Sequence, residues 1–198
     1  DGFYTALYQV NSLIVALDKL AASQSRNEIL GVASFFRGLI YYHLVSRYGE
    51  VPILEAPFSG DIAASTEEEG WSFVEKNFQV AIDYAPTFSD KYYVSKQAAK
   101  ALMARTKLAQ GKLTEAAKLA EEVIGDANFS LADFDQIFRG KANREEIFSF
   151  VNLLNESSVN LSASLYSRAS ANGGSYTYAP TTKVMNMFEP DDKRTAIS

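Results

Sequence analysis

The chain contains one histidine, His43, and no cysteine, so the side chains that most often attack, shuttle protons or hold metals are nearly missing. A Ser-His-Asp hydrolase would have to use His43, yet that residue sits beside Leu39, Tyr42 and Leu44 in an aromatic helical run, where packing is its expected role. Without a second histidine or a thiolate, no zinc-type ligand pair is expected. Carboxylates do stand side by side, at Glu67-Glu68-Glu69, Glu121-Glu122, Glu145-Glu146 and Asp191-Asp192. Glycoside hydrolysis requires two carboxyls facing each other across a cleft, which adjacency along a chain does not supply. The first run instead falls where a helix should begin, and negative charge is favoured there. No G-x-x-x-x-G-K-[ST] or G-x-G-x-x-G run occurs, and Gly173-Gly174 is too short to cradle a phosphate. The expectation is a non-enzyme with no catalytic residue, metal or cofactor.

Binding chemistry has a better candidate. Asn155–Tyr178 is a long polar stretch with seven serines, Gly173-Gly174 and three tyrosines. Loops of that length in compact domains tend to be functional or disordered. Tyr166, Tyr176 and Tyr178 offer flat faces for the C–H side of a sugar ring, and Arg168 and Asn172 offer planar groups that fork onto neighbouring hydroxyls. The other reading is a solvated loop whose tyrosines fold back over the rest of the chain. Arg37 and Arg105 lie in apolar helical runs, where arginine usually anchors structure through carboxylates or helix-end carbonyls. Trp71 falls on a helical stripe with Val74 and Phe78, and core packing is expected of it.

The bounds set by composition agree. With 198 residues, 47% hydrophobic and 22% charged, the chain can bury a substantial core. A formal charge of −5 and no dense Lys/Arg cluster exclude nucleic acid as an expected partner. No uninterrupted apolar run reaches the roughly 20 residues that cross a bilayer. The chain opens with Asp1 and ends at Ser198, and we expect a fragment or processed product. A monomer is expected, since there is no heptad seam.

Helical periodicity orders the first 124 residues. Apolar residues at Leu7, Val10, Leu13, Ile14, Leu17 and Leu20 predict a helix from Phe3 to about Ala22, and a second should run from roughly Asn27 to Tyr48. Gly49 can close that helix, and Pro52 forces Val51 to be extended. Thr66 with Glu69 is a capping-box signature opening a third helix that ends near Pro86. A fourth should start near Ser95, with Ala98, Leu102, Arg105 and Ala109 along one side, and a fifth should cover Leu113 to Ile124. The run AKALMARTKLAQGKLTEAAKLAEEVI fits a tetratricopeptide hairpin. Ala104, Gly111, Ala116 and Ala120 are the small residues expected at its close contact, although Lys107 stands where an aromatic is usual. Beyond Gly125 the pattern loosens. Asp133 to Gln136 resembles a capping box, Glu146–Val151 alternates like a short strand, and Thr181 or Thr182 could cap a last short helix. The predicted fold is mainly α, a tetratricopeptide-like helix-pair stack over 1–124 with a loop-rich irregular lobe over 125–198.

The signature around residue 40 carries a family resemblance. Arg37, Tyr41, Tyr42, Leu44, Val45, Tyr48, Gly49, Val51 and Pro52 closely resemble the core motif of the SusD/RagB family of outer-membrane glycan-binding lipoproteins. FSLADFDQIF, REEIFSFV and PTTKVMNMFEPDDKR follow as further family landmarks in order, so the likeness covers roughly Tyr4 to Arg194. The resemblance implies non-catalytic capture of a glycan or similar nutrient and delivery to a TonB-dependent outer-membrane transporter. It places the protein at the cell surface, anchored by a lipid on a cysteine preceding Asp1. It also implies that the helical repeats contact the transporter while irregular loops bind ligand, with both termini of a longer protein lying outside this chain. The alternative from the residues alone is a tetratricopeptide scaffold binding another protein.

Overall fold

The computed structural model of the chain describes residues 2–133, 136–137, 143–151, 175, 177–189 and 191–192. They fall into two compact units, Asp1–Leu131 with Arg144–Ser149, and Ala132–Asn143 with Phe150–Ser198. The first holds α1 (Gly2–Leu17), α2 (Gln24–Tyr48), α3 (Glu67–Tyr84), α4 (Lys96–Ala109) and α5 (Leu113–Ile124). The second contains α6 (Thr182–Met185), opened by Thr181, whose hydroxyl accepts from the Val184 amide at 3.3 Å.

Local capping chemistry sets most helix starts. Thr66 and Glu69 complete the predicted capping box on α3, and Ser95 caps α4 by accepting from the Ala98 amide at 3.1 Å. Ser23 caps α2 in the same way through the Arg26 amide, so α2 begins three residues earlier than its periodicity suggests. The first helix stops at Leu17 rather than near Ala22. The Lys19 and Leu20 amides turn back onto the Ala16 and Leu17 carbonyls, and Arg26 Nε also donates to Leu17 O at 3.1 Å. Leu20, beyond the end of the helix, and Leu13, off its packed face, are exposed, and the buried face of α1 is Leu7, Asn11, Ile14 and Leu17.

The core forms where α2 crosses α1 and α3. Phe35, Tyr41, Val74, Phe78 and Ala81 are wholly buried there. Among the described helices α2 alone is long and apolar enough to cross a membrane, but it serves as the central core helix. Its approach to the end of α3 is so close that a Cβ on Gly31 would lie 2.3 Å from the Ala85 backbone nitrogen. Gly49 ends α2 with φ +68 while its amide donates to Val45 O at 2.8 Å, as the sequence anticipates.

Two local expectations are corrected. Among the described residues there is no strand, and the isolated antiparallel bridge Val51–Ser65 precedes Gly125. Glu146–Val151 alternates, yet none of these described residues lies in a strand. Ser149 N donates to Lys91 O, Ser130 N donates to Arg144 O, Lys91 pairs with Glu146, and Phe148 meets Phe35 edge-on at 5.1 Å. The alternation therefore docks a ring into a helical core rather than building a sheet. In the α4–α5 hairpin Ala104 and Ala116 are buried and Ala120 is half-buried, but Gly111 makes no close approach. Its φ of +72 shows that the turn needs a glycine for conformation. Lys107 replaces the usual aromatic by bridging Glu75 of α3 and Glu115 of α5, each at 2.8 Å.

Candidate functional site

The signature residues converge on the loop that follows α2. The Tyr41 ring is wholly buried, and its hydroxyl accepts from the Leu54 amide at 2.7 Å and donates to Pro52 O at 3.2 Å. Burial pushes its pKa up to about 12. Arg37 is 7% exposed. Its Nε donates to Asn77 Oδ1 at 2.6 Å, Nη1 donates to Asn11 Oδ1 at 3.3 Å and reaches Glu55 O at 3.5 Å, and its guanidinium lies 5.3 Å from the Phe73 ring centre. Desolvation lowers its pKa from the ordinary arginine value. Asn11 completes the clamp by donating to Leu54 O at 2.8 Å. The structural role expected of Arg37 is thus met by amide oxygens and a loop carbonyl from three chain segments. Arg105 differs from it, being an exposed side chain whose guanidinium lies 5.7 Å from the Tyr42 ring centre.

His43 packs as anticipated. Its half-buried ring stacks on Phe3 at 6.0 Å, and burial, with help from Arg47 and Arg105, lowers its pKa. Trp71 is buried beside Tyr42 and donates to Glu67 Oε1 at 3.0 Å. Among the described residues no group of three metal-ligating side chains gathers.

Three concavities among the described residues of the helical unit differ in chemistry. Between α4 and α5, Ala104, Ala116 and Ala120 floor an apolar groove rimmed by Leu108 and Ile124, with Arg105 at its edge. Sugar hydroxyls would find few partners there. A second groove runs between α3 and α5 over Met103 and Lys107. Its central charges are consumed internally, since Glu75 accepts from Lys107, Gln110 and Lys112 at 2.7–2.8 Å. Burial raises the Glu75 pKa, but those hydrogen bonds outweigh it and the carboxyl is held below its ordinary value. The third concavity, about 480 Å³, lies beneath the clamped loop, lined by Ile53, Glu55, Ser65, Glu68, Ser72 and Lys76 among others.

Of the residues singled out for sugar contact, Tyr166, Arg168, Asn172 and Tyr176 lie outside the described residues. Tyr178 is described and is 66% exposed. Sequence reasoning missed Asn11 and Asn77. The available signal was a polar side chain in register with an apolar stripe, since Asn11 follows Leu7 by four residues and precedes Ile14 by three.

Residues 1–108 match the profile of a family designated SusD-like and described as starch-binding, associating with the outer membrane. The chain belongs to the SusD-like family. A curated relative, the SusD-like protein P2 of Formosa agariphila, is 30% identical over 122 residues, covering 57% of this SusD-like chain and 24% of the relative. A solved SusD superfamily protein from Bacteroides thetaiotaomicron superposes with a TM-score of 0.70 at 21% identity, covering 81% of this chain and 40% of the other. A laminarin-binding SusD-like protein superposes with a TM-score of 0.68 at 24% identity, covering 74% and 35%. Those structural likenesses establish a shared fold. The SusD-like chain spans about a quarter of the curated relative's length.

Proposed function

We propose that this chain is the helical portion of a protein that binds a glycan at the cell surface without transforming it and passes it to a TonB-dependent outer-membrane transporter. The match of residues 1–108 to a starch-binding, outer-membrane-associated family carries the reading. The laminarin-binding relative of the same fold supports a polysaccharide-derived ligand. A lipid-anchored, surface-exposed location follows from the same resemblance, as does transporter contact through a face of α1–α5. Tyr166, Arg168, Asn172, Tyr176 and Tyr178 remain the proposed contacts in the later lobe on grounds of composition. The competing scaffold reading calls for a groove with free polar and aromatic side chains. The α3–α5 groove instead has internally paired charges and no aromatic lining.

The test is a glycan array that includes starch and laminarin oligosaccharides, followed by chromatography of the incubated ligand. Binding with the ligand recovered intact is expected, and cleavage products or an array with no bound glycan would refute the proposal. Tyr178→Ala should weaken binding by about 2 kcal/mol, more than tenfold, without lowering the melting temperature. Cross-links to a co-expressed transporter should map to α1–α5, and cross-links confined to residues 125–198 would count against that contact.

A further inference from the structure

We propose that the loop joining α3 to α4 carries a carbohydrate subsite, in which the Tyr92 ring is the stacking face for a neutral sugar and the Lys91 ammonium donates to a hydroxyl beside it. The inference rests on the glycan-binding function and gives that function a contact within the helical unit.

A neutral sugar needs a flat apolar face for its C–H side and a polar group next to that face for its hydroxyls. The α4–α5 groove lacks the polar groups, and the α3–α5 groove has no aromatic lining. Beneath the Val51–Ser65 loop the lining ring, Phe73, is buried. The α3–α4 loop joins the two requirements.

Tyr92 is 47% exposed, and Lys91 Nζ lies 5.2 Å from the centre of its ring. The cation occupies one face of the ring, so the exposed area belongs to the other face and the hydroxyl edge. The same ammonium pairs with Glu146, and the two side chains are only 24% and 27% exposed. A lysine ammonium carries three donors. One is spent on Glu146, and the Lys91 side chain makes no other hydrogen bond among the described residues. Glu146 therefore fixes where the remaining donors stand, and the cation–π contact sets the ring beside them.

The backbone on both sides of Tyr92 is tied down. Lys91 O accepts from the Ser149 amide at 2.8 Å, and the Tyr93 amide donates to Asp90 O at 3.2 Å. The Tyr92 amide donates to Asp90 Oδ1 at 2.9 Å, and Val94 is buried in the core. Only the Tyr92 hydroxyl is left without a partner among the described residues. A ring presented from an ordered backbone loses little further freedom when a ligand covers it.

The experiment screens wild-type protein on an array of neutral oligosaccharides that includes the malto- and laminari-series. The strongest binder is then titrated calorimetrically into wild type, Tyr92→Ala, Tyr92→Phe and Lys91→Met. Tyr92→Ala should weaken binding about tenfold or more, and Tyr92→Phe, which keeps the face, should stay within about threefold of wild type. Lys91→Met keeps the stem but removes the donors, and should weaken binding about threefold or more. Tyr92→Ala should move the melting temperature by no more than about 2 °C, because an exposed cation–π contact is weak. In wild-type protein the same ligand should shift the amide resonances of Tyr92 and Tyr93. If wild type binds while Tyr92→Ala binds equally well, or those resonances stay in place, the subsite is overturned and the glycan function stands. If wild type binds no glycan, both fall together.

Discussion

Tyr41→Phe isolates the clamp that the family signature builds. The substitution keeps the ring, including its edge-on contact with Phe73 at 4.9 Å, and removes only the hydroxyl. Two partners lose their bond, the Leu54 amide at 2.7 Å and Pro52 O at 3.2 Å, both in a part-buried setting. Leaving such a group unsatisfied destabilises by about 1–3 kcal/mol, so a loss of about 2 kcal/mol is expected. With a urea m-value of about 2 kcal/mol/M, the unfolding midpoint should fall by about 1 M. The melting temperature should drop by about 4–8 °C. Because the Tyr41 hydroxyl titrates only at about pH 12, the difference should be constant from pH 5 to 9. Hydrogen exchange at the Leu54 amide should accelerate well beyond the global change. Tyr42→Phe is the internal control. That residue is half-buried, and its hydroxyl has no partner among the described residues, so a change below about 0.5 kcal/mol is expected. A Tyr41→Phe loss no larger than the control, with Leu54 exchange unaltered, would refute the clamp.

The Glu75 network should give stability a defined pH dependence. Its folded pKa is lowered, so its contribution is complete above the ordinary carboxylate range and is lost as pH falls below about 4.5. Lys107 is shifted upward because Glu115 and Glu75 outweigh the opposing effect of burial, so its contribution is complete below about 10.4 and fades only at higher pH. Thermal melts of wild type and Glu75→Gln should therefore differ by about 1 kcal/mol at pH 7, with the difference shrinking as the pH is lowered into the acid range, and a difference independent of pH would contradict the assignment. Gly31→Ala should destabilise by about 2–3 kcal/mol despite the better helix propensity of alanine, because the new Cβ meets Ala85 backbone at 2.3 Å. Gly2→Ala, with nothing within 4 Å, should change urea stability by less than about 0.5 kcal/mol, and equal effects at the two positions would argue against the tight α2–α3 crossing.

What the sequence determined by itself was local. Thr66 with Glu69, Ser95 and Thr181 were legible as helix starts because a cap is settled within four residues of chain. The spacing of small residues likewise identified the α4–α5 hairpin, and one histidine with no cysteine set the expectation that no catalytic centre would be found, while the expectation of glycan binding came from the resemblance carried by the motif around residue 40. Tertiary structure decided what depends on partners far along the chain. Arg37 meets Asn11 and Asn77 across 26 and 40 residues, and nothing in the spacing of those three residues announces the meeting. Alternation in Glu146–Val151 reads as a strand in isolation, yet Phe148 enters a cluster of helix aromatics instead. The groove beneath the Val51–Ser65 loop was equally hidden, since α3 supplies part of its wall and a buried tyrosine from α2 holds its base. Capping and periodicity are properties of one segment. A buried polar clamp exists only when helices bring its members within hydrogen-bond range and exclude the water that would otherwise satisfy them.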